Sequence, residues 1–272
     1  MTYFGFLIIF LLIPIMILLA VVTFDRRKSV DDPSLEGLKP TGYSFLLIAI
    51  ISLTYTTLWD NFLVATQVWW YDPDSVFGIT LGWVPLEEYL FFILQPVLVG
   101  LWMLVFLSRV IYLRQTASSQ RNLRRLSIIS ASLIWIASLV LLFAGGSAAN
   151  YLGLELVWAL PAIIFQLAFG ADIIWRQWRL IFLAVVPMTL YLSLADAIAI
   201  GSGIWTISPA KSTGILLGGV LPLEEFVFFL LTNTLVAFGF VLFWSPESYA
   251  RAKGILSKIR SESQEGKLQQ EL

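Results

Sequence analysis

The sequence contains neither cysteine nor histidine among its 272 residues. Without cysteine there is no disulfide and no thiol nucleophile, and without histidine there is no imidazole ligand for haem and no histidine proton relay. Charge is also scarce, since Asp, Glu, Lys and Arg make up 13% of the chain and the net charge is -1. No nucleic-acid partner is expected for a chain of this composition.

Several cofactor and ligand motifs are missing as well. The chain has no Gly-x-Gly-x-x-Gly following a strand and no P-loop, so nothing in it indicates nucleotide or flavin binding. It has no Asp-x-x-x-Asp ladder of the kind that holds magnesium diphosphate in intramembrane prenyltransferases. The last long apolar run, 215–243, has no lysine, which excludes a retinal Schiff base there. No cofactor and no metal are expected.

What the chain has in abundance is hydrophobic residues, at 58%. They are concentrated in runs that approach or exceed the roughly 20 residues needed to span a bilayer. The first run is followed by Arg26-Arg27-Lys28, which indicates a membrane anchor rather than a cleaved signal peptide. The sequence therefore predicts an all-α integral membrane protein with seven transmembrane helices, at approximately 3–22, 43–64, 84–107, 126–144, 152–170, 180–200 and 215–243.

The basic residues predict the orientation of these helices. Of the 17 Lys and Arg residues, only Lys211 falls in a segment that the seven-helix prediction puts on the opposite side from the rest. By the positive-inside rule, the N-terminus is outside and the C-terminus is cytoplasmic. The basic segment 109–125 is interpreted as ordinary topogenic charge. We expect a multi-pass protein of the cell membrane, with a polar cytoplasmic tail at 246–272.

The chain also contains an internal repeat. Residues 55–92 align with 191–229, first at an offset of 136 and, after one inserted residue, at an offset of 137. A weaker similarity relates Tyr3-x-Gly5 to Tyr151-x-Gly153. The repeat predicts a first three-helix module at 1–115, a linker with helix 4 at 116–150 and a second module at 151–245. Because one odd helix joins them, the modules run parallel, and both copies of any motif face the same leaflet.

The most conspicuous repeated motif is Pro-Leu-Glu-Glu, at 85–88 and again at 222–225. Proline followed by glutamates is a good helix start, since both complement a helix N-terminus. Here, however, apolar segments precede both prolines, so the glutamates are expected at membrane depth, where a charged side chain costs several kcal/mol. We therefore interpret Glu87, Glu88, Glu224 and Glu225 as candidate catalytic residues.

Further acidic and aromatic residues are expected at the same depth. Asp60 and Asp196 match in the repeat and lie near the outer ends of helices 2 and 6, whereas Glu155 has no acidic counterpart because Leu7 occupies that position. If the modules pack face to face, all six matched carboxyl groups can converge. Aromatic side chains that could line such a site, and stabilise a carbocation by cation–π attraction, are Tyr55, Trp69, Phe92, Tyr191, Trp205 and Phe229.

These features favour acid–base chemistry in an apolar chamber. Removal of a carboxyl group from water favours its protonated form, and a neighbouring carboxyl group acts in the same direction. A group of this kind can donate a proton to an alkene. The substrate should then be a hydrocarbon that dissolves in the membrane.

At these residues the chain resembles the membrane-integral lycopene cyclases. The resemblance covers residues 1–245 and is carried by two modules, each with an acidic residue, a following Trp and then Pro-Leu-Glu-Glu-x-x-Phe-Phe. It implies the fused, single-chain form of the family. The chain departs from an even repeat where Gln67 corresponds to Gly203 and where Gln95-Pro96 replaces Thr232-Asn233, which leaves open whether there are one or two active sites.

The resemblance implies a cofactor-free isomerisation of lycopene to β-carotene. An acid protonates C2 of the linear end group, the C5=C6 bond attacks C1, and a base removes a proton from C6. The four glutamates are the implied acid and base, with Asp60 and Asp196 in support. The expected partners are lycopene or a related carotenoid and membrane lipid.

Other interpretations of the same residues stay open. The chain could form ε-rings, by proton loss from C4, or act on C50 carotenoids. In a different class, it could be a proton-coupled transporter, in which repeats and membrane-embedded acids are common. It could also be a membrane scaffold whose glutamates bind a cationic helix of a partner.

Overall fold

A computed structural model of the chain describes the backbone of residues 1–28, 38–107 and 121–270. Seven helices in these ranges are long and apolar enough to cross a membrane, which confirms the predicted number. An eighth helix forms the tail. Helix α1 begins as Tyr3–Leu7, continues through a π-helical turn at Ile8–Leu12 and ends as Ile13–Lys28; the others are α2 (Gly42–Ala65), α3 (Leu86–Leu107), α4 (Arg121–Ala144), α5 (Asn150–Arg176), α6 (Trp178–Gly201), α7 (Leu223–Trp244) and α8 (Pro246–Gln270).

The helices are apolar on more than one side, because in a membrane their outer surfaces contact lipid and not water. Large aliphatic and aromatic side chains such as Leu58 and Phe143 are more than 80% exposed on the bundle surface. In a bilayer these positions contact lipid, while the helical backbone satisfies its own hydrogen bonds. Helix α4 lies at the edge of the bundle against α5, and among its residues only Ala131 and Ser138 are buried.

Short strands connect the helices at one end of the bundle. The strands β1 (Trp69–Tyr71) and β4 (Trp205–Ile207) pair with each other in antiparallel register, so the loop after α2 is joined to the loop after α6. We call this pair the ribbon, and this end of the bundle the ribbon end. Two small hairpins flank it, formed by β2 (Thr80–Leu81) with β3 (Val84–Pro85) and by β5 (Leu216–Leu217) with β6 (Leu221–Pro222).

The hairpins correct the predicted start of helix 7. The apolar run from 215 was expected to be helical, but α7 begins only at Leu223. Glycine is the reason: Gly214, Gly218 and Gly219 adopt φ of +75°, +59° and +77°, a left-handed conformation that turns the chain instead of continuing a helix. Similarly, Pro85 and Pro222 end a strand just before the helix and are not its first helical residues.

Hydrogen bonds at the ribbon end recur at matched positions in both halves of the chain. A backbone N–H in the first turn of α1 or α5 donates to a carbonyl of the loop before α3 or α7. The first N–H of α3 or α7 donates to the carbonyl of the residue just before a hairpin. The pairs are Tyr3 with Ser75 (2.7 Å), Tyr151 with Lys211 (3.0 Å), Leu86 with Ile79 (2.9 Å) and Leu223 with Ile215 (2.9 Å). For each kind of bond, the two residues in the second half of the chain are the sequence-repeat counterparts of the two residues in the first half.

The opposite end of the bundle carries the basic residues, and we call it the basic end. Arg251 of the tail helix α8 binds both carboxyl oxygens of Asp172, at 3.0 and 2.7 Å, and Arg124 of α4 lies 3.6 Å from the same carboxylate. Arg176 lies 3.4 Å from Glu247. These contacts hold the first turns of α8 against the ends of α4 and α5. The predicted module boundary at 115/116 lies outside the described residues.

Helices α3 and α7 form the centre of the bundle. Gln95 of α3 donates to Asn233 of α7 at 2.6 Å, and the Asn233 amide donates to Thr189 of α6 at 3.2 Å. A Cβ on Gly100 would lie only 2.4 Å from the ring of Phe240 and 2.6 Å from the ring of Phe45, so glycine is required where these two rings pack on α3. The two halves are therefore joined both through this core and through the ribbon.

Candidate active site

A small chamber of about 50 Å³ lies between the two halves, directly beneath the ribbon. Four carboxyl groups line it: Asp60 of α2, Glu88 of α3, Asp196 of α6 and Glu225 of α7. Apart from the phenol of Tyr71 and the indoles of Trp69 and Trp205, its walls are largely apolar. We call this the carboxyl chamber. Its other wall residues are Tyr3, Phe6, Phe91, Ile207, Phe228 and Phe229.

The second glutamate of each Pro-Leu-Glu-Glu motif accepts a hydrogen bond from a tyrosine of its own half. Tyr3 donates to Glu88 at 2.5 Å, and Tyr151 donates to Glu225 at 2.8 Å. Both tyrosines are 1% exposed. Because they lie in the first turns of α1 and α5, the first helix of each half positions the carboxyl group of the third.

Glu88 has one additional partner. The hydroxyl of Tyr71, in the ribbon, donates to it at 3.0 Å and in turn accepts from the indole of Trp69 at 3.2 Å. Burial, together with the negative charge of Asp60 and Glu88, raises the pKa of Tyr71, which therefore stays protonated and remains a donor at neutral pH. Glu88 thus accepts two phenolic hydrogen bonds where Glu225 accepts one.

The first glutamate of each motif lies elsewhere. Glu87 accepts the backbone N–H of Phe77 at 2.6 Å, and Glu224 accepts the backbone N–H of Thr213 at 2.5 Å. Neither lines the chamber. The expectation that all six carboxyl groups converge is therefore wrong for Glu87 and Glu224, because neighbouring residues of a helix point about 100° apart and cannot share one face.

The two aspartates have different environments. Asp196 accepts from the indole of Trp205 at 2.9 Å, whereas the matched Trp69 donates to Tyr71 and not to Asp60. Within the described residues, one buried oxygen of Asp60 and one of Asp196 have no hydrogen-bond partner. The chamber therefore contains buried carboxyl oxygens that are still available to a substrate or to a proton.

The predicted aromatic residues are divided among three places. Trp69, Trp205 and Phe229 line the chamber. Phe92 and Tyr55 line a larger groove that adjoins it, and the Tyr55 hydroxyl donates to the Trp158 carbonyl at 2.7 Å. Tyr191 makes the equivalent bond in the other half, to the Phe10 carbonyl at 3.0 Å. The wall of neither the chamber nor the groove includes Tyr191.

Sequence reasoning did not identify Tyr3, Tyr71 or Tyr151 as site residues. The similarity between Tyr3-x-Gly5 and Tyr151-x-Gly153 was the available signal for two of them.

Glu155 is fully buried, and neither of its carboxyl oxygens has a partner among the described residues. A carboxyl group in that position is far less costly to bury protonated than ionised.

No group of three or more acidic side chains in the described ranges is arranged to hold a metal ion. The polar groups of the chamber are instead carboxyl groups, phenols and indoles. Such a set can give a proton to an apolar substrate, take one from it, and place aromatic faces beside a developing positive charge.

Comparison with known proteins gives one consistent result. A family model described as lycopene cyclase matches residues 35–107 and 148–243. Lycopene beta-cyclase of Halobacterium salinarum is 40% identical over 199 residues, covering 72% of this chain and 80% of that protein. Bifunctional lycopene cyclase/phytoene synthases of Gibberella fujikuroi and Podospora anserina are each 32% identical, covering 80% and 72% of this chain but 39% and 34% of those proteins. No solved structure matches this chain.

The phenol–carboxyl bonds should contribute measurably to stability. Replacing Tyr3 or Tyr151 by Phe keeps the ring and removes the hydroxyl that each donates to a buried glutamate. We expect each change to lower the free energy of unfolding by about 1–3 kcal/mol. Denaturant titration of the protein in detergent measures it.

Tyr43→Phe is the matched control for both variants, since Tyr43 is 66% exposed. It should change the free energy of unfolding by less than about 0.5 kcal/mol. Equal effects at all three positions would contradict the importance of the two bonds.

Proposed function

Because the chain belongs to the lycopene cyclase family, we propose that it closes the linear ends of lycopene into β-rings, with the carboxyl chamber as its active site. The observation that carries this proposal is that four carboxyl groups, two from each half, line a single chamber with aromatic walls, and that all four belong to helices long and apolar enough to cross a membrane. A substrate of this kind dissolves in the bilayer, and the chamber supplies acid and base where water is scarce.

The reaction needs no net change in protons or electrons. A carboxyl group gives its proton to C2 of the end group, which leaves a cation at C1. The C5=C6 double bond attacks C1 and closes the ring, and the resulting cation loses a proton from C6 to a carboxylate. The β-ring forms in this way, and the chamber ends with the same number of protons as it began.

Glu88 and Glu225 are the proposed acid and base. Both line the chamber, and a tyrosine hydroxyl orients each of them. Asp60 and Asp196 support them, because carboxyl groups that share one low-dielectric space cannot all ionise cheaply, which keeps protons available for donation. The faces of Trp69, Trp205 and Phe229 lie where they can stabilise the cation before it loses its proton.

Glu87 and Glu224 have a structural role in this proposal. Each accepts a backbone N–H from the loop that precedes its own helix, at Phe77 and Thr213. Each therefore fixes the loop between the ribbon and its own helix. An acid that is already committed to a backbone donor, outside the chamber wall, is poorly placed to protonate an alkene.

We further propose that the chain consists of two parallel three-helix repeats, α1–α3 and α5–α7, joined by α4. The matched hydrogen bonds of the two halves support this arrangement. The ribbon end then faces the outside of the cell membrane and the basic end faces the cytoplasm, because the sequence predicts sixteen of the seventeen Lys and Arg residues on one side of the membrane, and Arg124, Arg176 and Arg251 lie at the basic end.

Replacement of the two chamber glutamates tests the catalytic assignment. In a lycopene-making bacterium, the wild type should convert red lycopene to yellow-orange β-carotene. Glu88→Gln with Glu225→Gln should lower the rate of ring formation by at least about 10²-fold, the usual effect of losing a general acid or base. Chromatography of extracted pigment measures it.

Glu87→Gln with Glu224→Gln is the matched control for the same experiment. An amide oxygen can still accept the N–H of Phe77 or Thr213, so most ring formation should remain. The opposite pattern, with activity lost in the control pair and kept in the chamber pair, would reject the assignment.

Single cysteines test the proposed orientation, because the natural chain contains none. Asp74→Cys places a thiol at the ribbon end, and Ser257→Cys places one in the tail helix; both positions are exposed. A membrane-impermeant maleimide should label the first in intact cells and the second only after permeabilisation. The reverse labelling would show that the orientation is inverted.

A further inference from the structure

A groove of about 860 Å³ begins next to the carboxyl chamber and runs toward the basic end. It lies between α2, α5 and α7, with α3 behind it and α8 at its far end. Phe91 and Phe228 belong to the walls of both the groove and the chamber, so the two spaces meet at these rings. From Phe228 to Phe243 the groove follows sixteen residues of α7, which is about 22 Å of helix from the first to the last.

The groove is shaped and lined for a long unsaturated hydrocarbon. Its walls are mostly apolar, and the part nearest the chamber is bordered by a row of stacked rings: Tyr55 on Trp158 (5.3 Å between centroids), Trp158 on Trp59 (4.3 Å) and Trp59 on Phe228 (5.8 Å). Flat aromatic faces in sequence suit a flat conjugated chain. The row leads directly to the junction with the chamber.

At three matched positions, larger side chains occupy the equivalent space in the other half. By the repeat offsets, Gly239 of α7 corresponds to Trp102 of α3, and the Trp102 indole crosses to α6 and donates to the Leu183 carbonyl at 2.8 Å. Ser52 and Thr56 of the groove correspond to Met188 and Leu192, which are 5% and 1% exposed in the hydrophobic core. Small groove residues in one half are thus large core residues in the other.

We propose that this groove holds the polyene chain of the carotenoid substrate, and that it opens on one side of the chamber only. This inference rests on the proposed cyclase function and adds the path by which the substrate reaches the carboxyl chamber. One end group lies beyond Phe91 and Phe228 in the chamber while the rest of the molecule extends toward Tyr249 of α8. The two ends of a molecule are therefore cyclised one after the other, and the molecule leaves and returns reversed between the two reactions.

Filling the groove tests the binding site. Gly239→Trp copies the residue of the closed half into the open one, where a Cβ at Gly239 already lies 3.5 Å from Ile48 and 3.7 Å from Gln166. Protein purified in detergent from lycopene-making cells should carry at least tenfold less pigment than the wild type, and ring formation in the cells should fall by the same factor. Leu230→Trp adds the same ring on a more exposed face of α7, and it should leave both readouts unchanged.

Two further variants keep the outcomes separable. Glu88→Gln with Glu225→Gln should carry as much pigment as the wild type, as unchanged lycopene, because it loses acid and base but not the groove. Ser52→Met with Thr56→Leu repeats the filling test should Gly239→Trp fail to fold. The proposal that the groove binds the polyene would be overturned if the folded groove variants carried as much pigment as the wild type. It would also be overturned if the purified wild type carried lipid acyl chains in place of pigment. Wild type that carries lycopene but forms no rings would instead reject the cyclase function.

A pulse-chase experiment tests whether the groove opens on one side of the chamber only, because the two ends of a molecule must then react in separate binding events. Purified wild type in liposomes receives a pulse of labelled lycopene and then a large excess of unlabelled lycopene. Labelled one-ring product should remain after the chase, because the molecule must leave before its second end can react. Complete conversion of the label to two-ring product despite the chase would overturn the successive reactions.

Discussion

Carboxyl groups that are buried at membrane depth need hydrogen-bond donors, and lipid cannot provide them. The rest of the structure depends on this constraint. Each Pro-Leu-Glu-Glu motif meets this need in the same way: its first glutamate binds a backbone N–H of the preceding loop, and its second accepts a phenol from the first helix of its half. These bonds fix where α1 and α5 lie relative to α3 and α7. The ribbon then joins the two halves above the second glutamates, which encloses them in one chamber.

This division of labour explains why the motif contains two glutamates. Neighbouring helical positions point in different directions, so the glutamate that binds the loop lies outside the chamber wall and the next one lines it. The halves are nevertheless not identical. Glu88 accepts two phenols and Glu225 one, while Asp196 has an indole partner that Asp60 lacks. Such differences allow one carboxyl group to hold a proton while another accepts one, as a cyclisation through a cation requires.

Much of this was predictable from the sequence. The seven helices followed from runs of apolar residues, and the repeat pointed to Asp60, Asp196 and all four glutamates of the two motifs, without separating Glu88 and Glu225 from Glu87 and Glu224. Two things were not predictable. The apolar run from 215 was expected to be helix, and only the backbone conformation of Gly214, Gly218 and Gly219 turns it into a hairpin. The groove depends on small residues of different helices, such as Ser52 of α2 and Gly239 of α7, lying close together in the fold. These residues are far apart in sequence, so no local sequence pattern predicts the groove.

In the proposed mechanism, a single chamber shared by both halves receives the end group through the junction at Phe91 and Phe228. An experimental structure of the Glu88→Gln, Glu225→Gln variant with bound lycopene would locate both the end group and the polyene. We expect an end group among Asp60, Asp196 and the two substituted side chains, with the polyene passing between α2, α5 and α7. An end group bound beside Glu87 or Glu224, or a polyene between α1, α3 and α6, would contradict it.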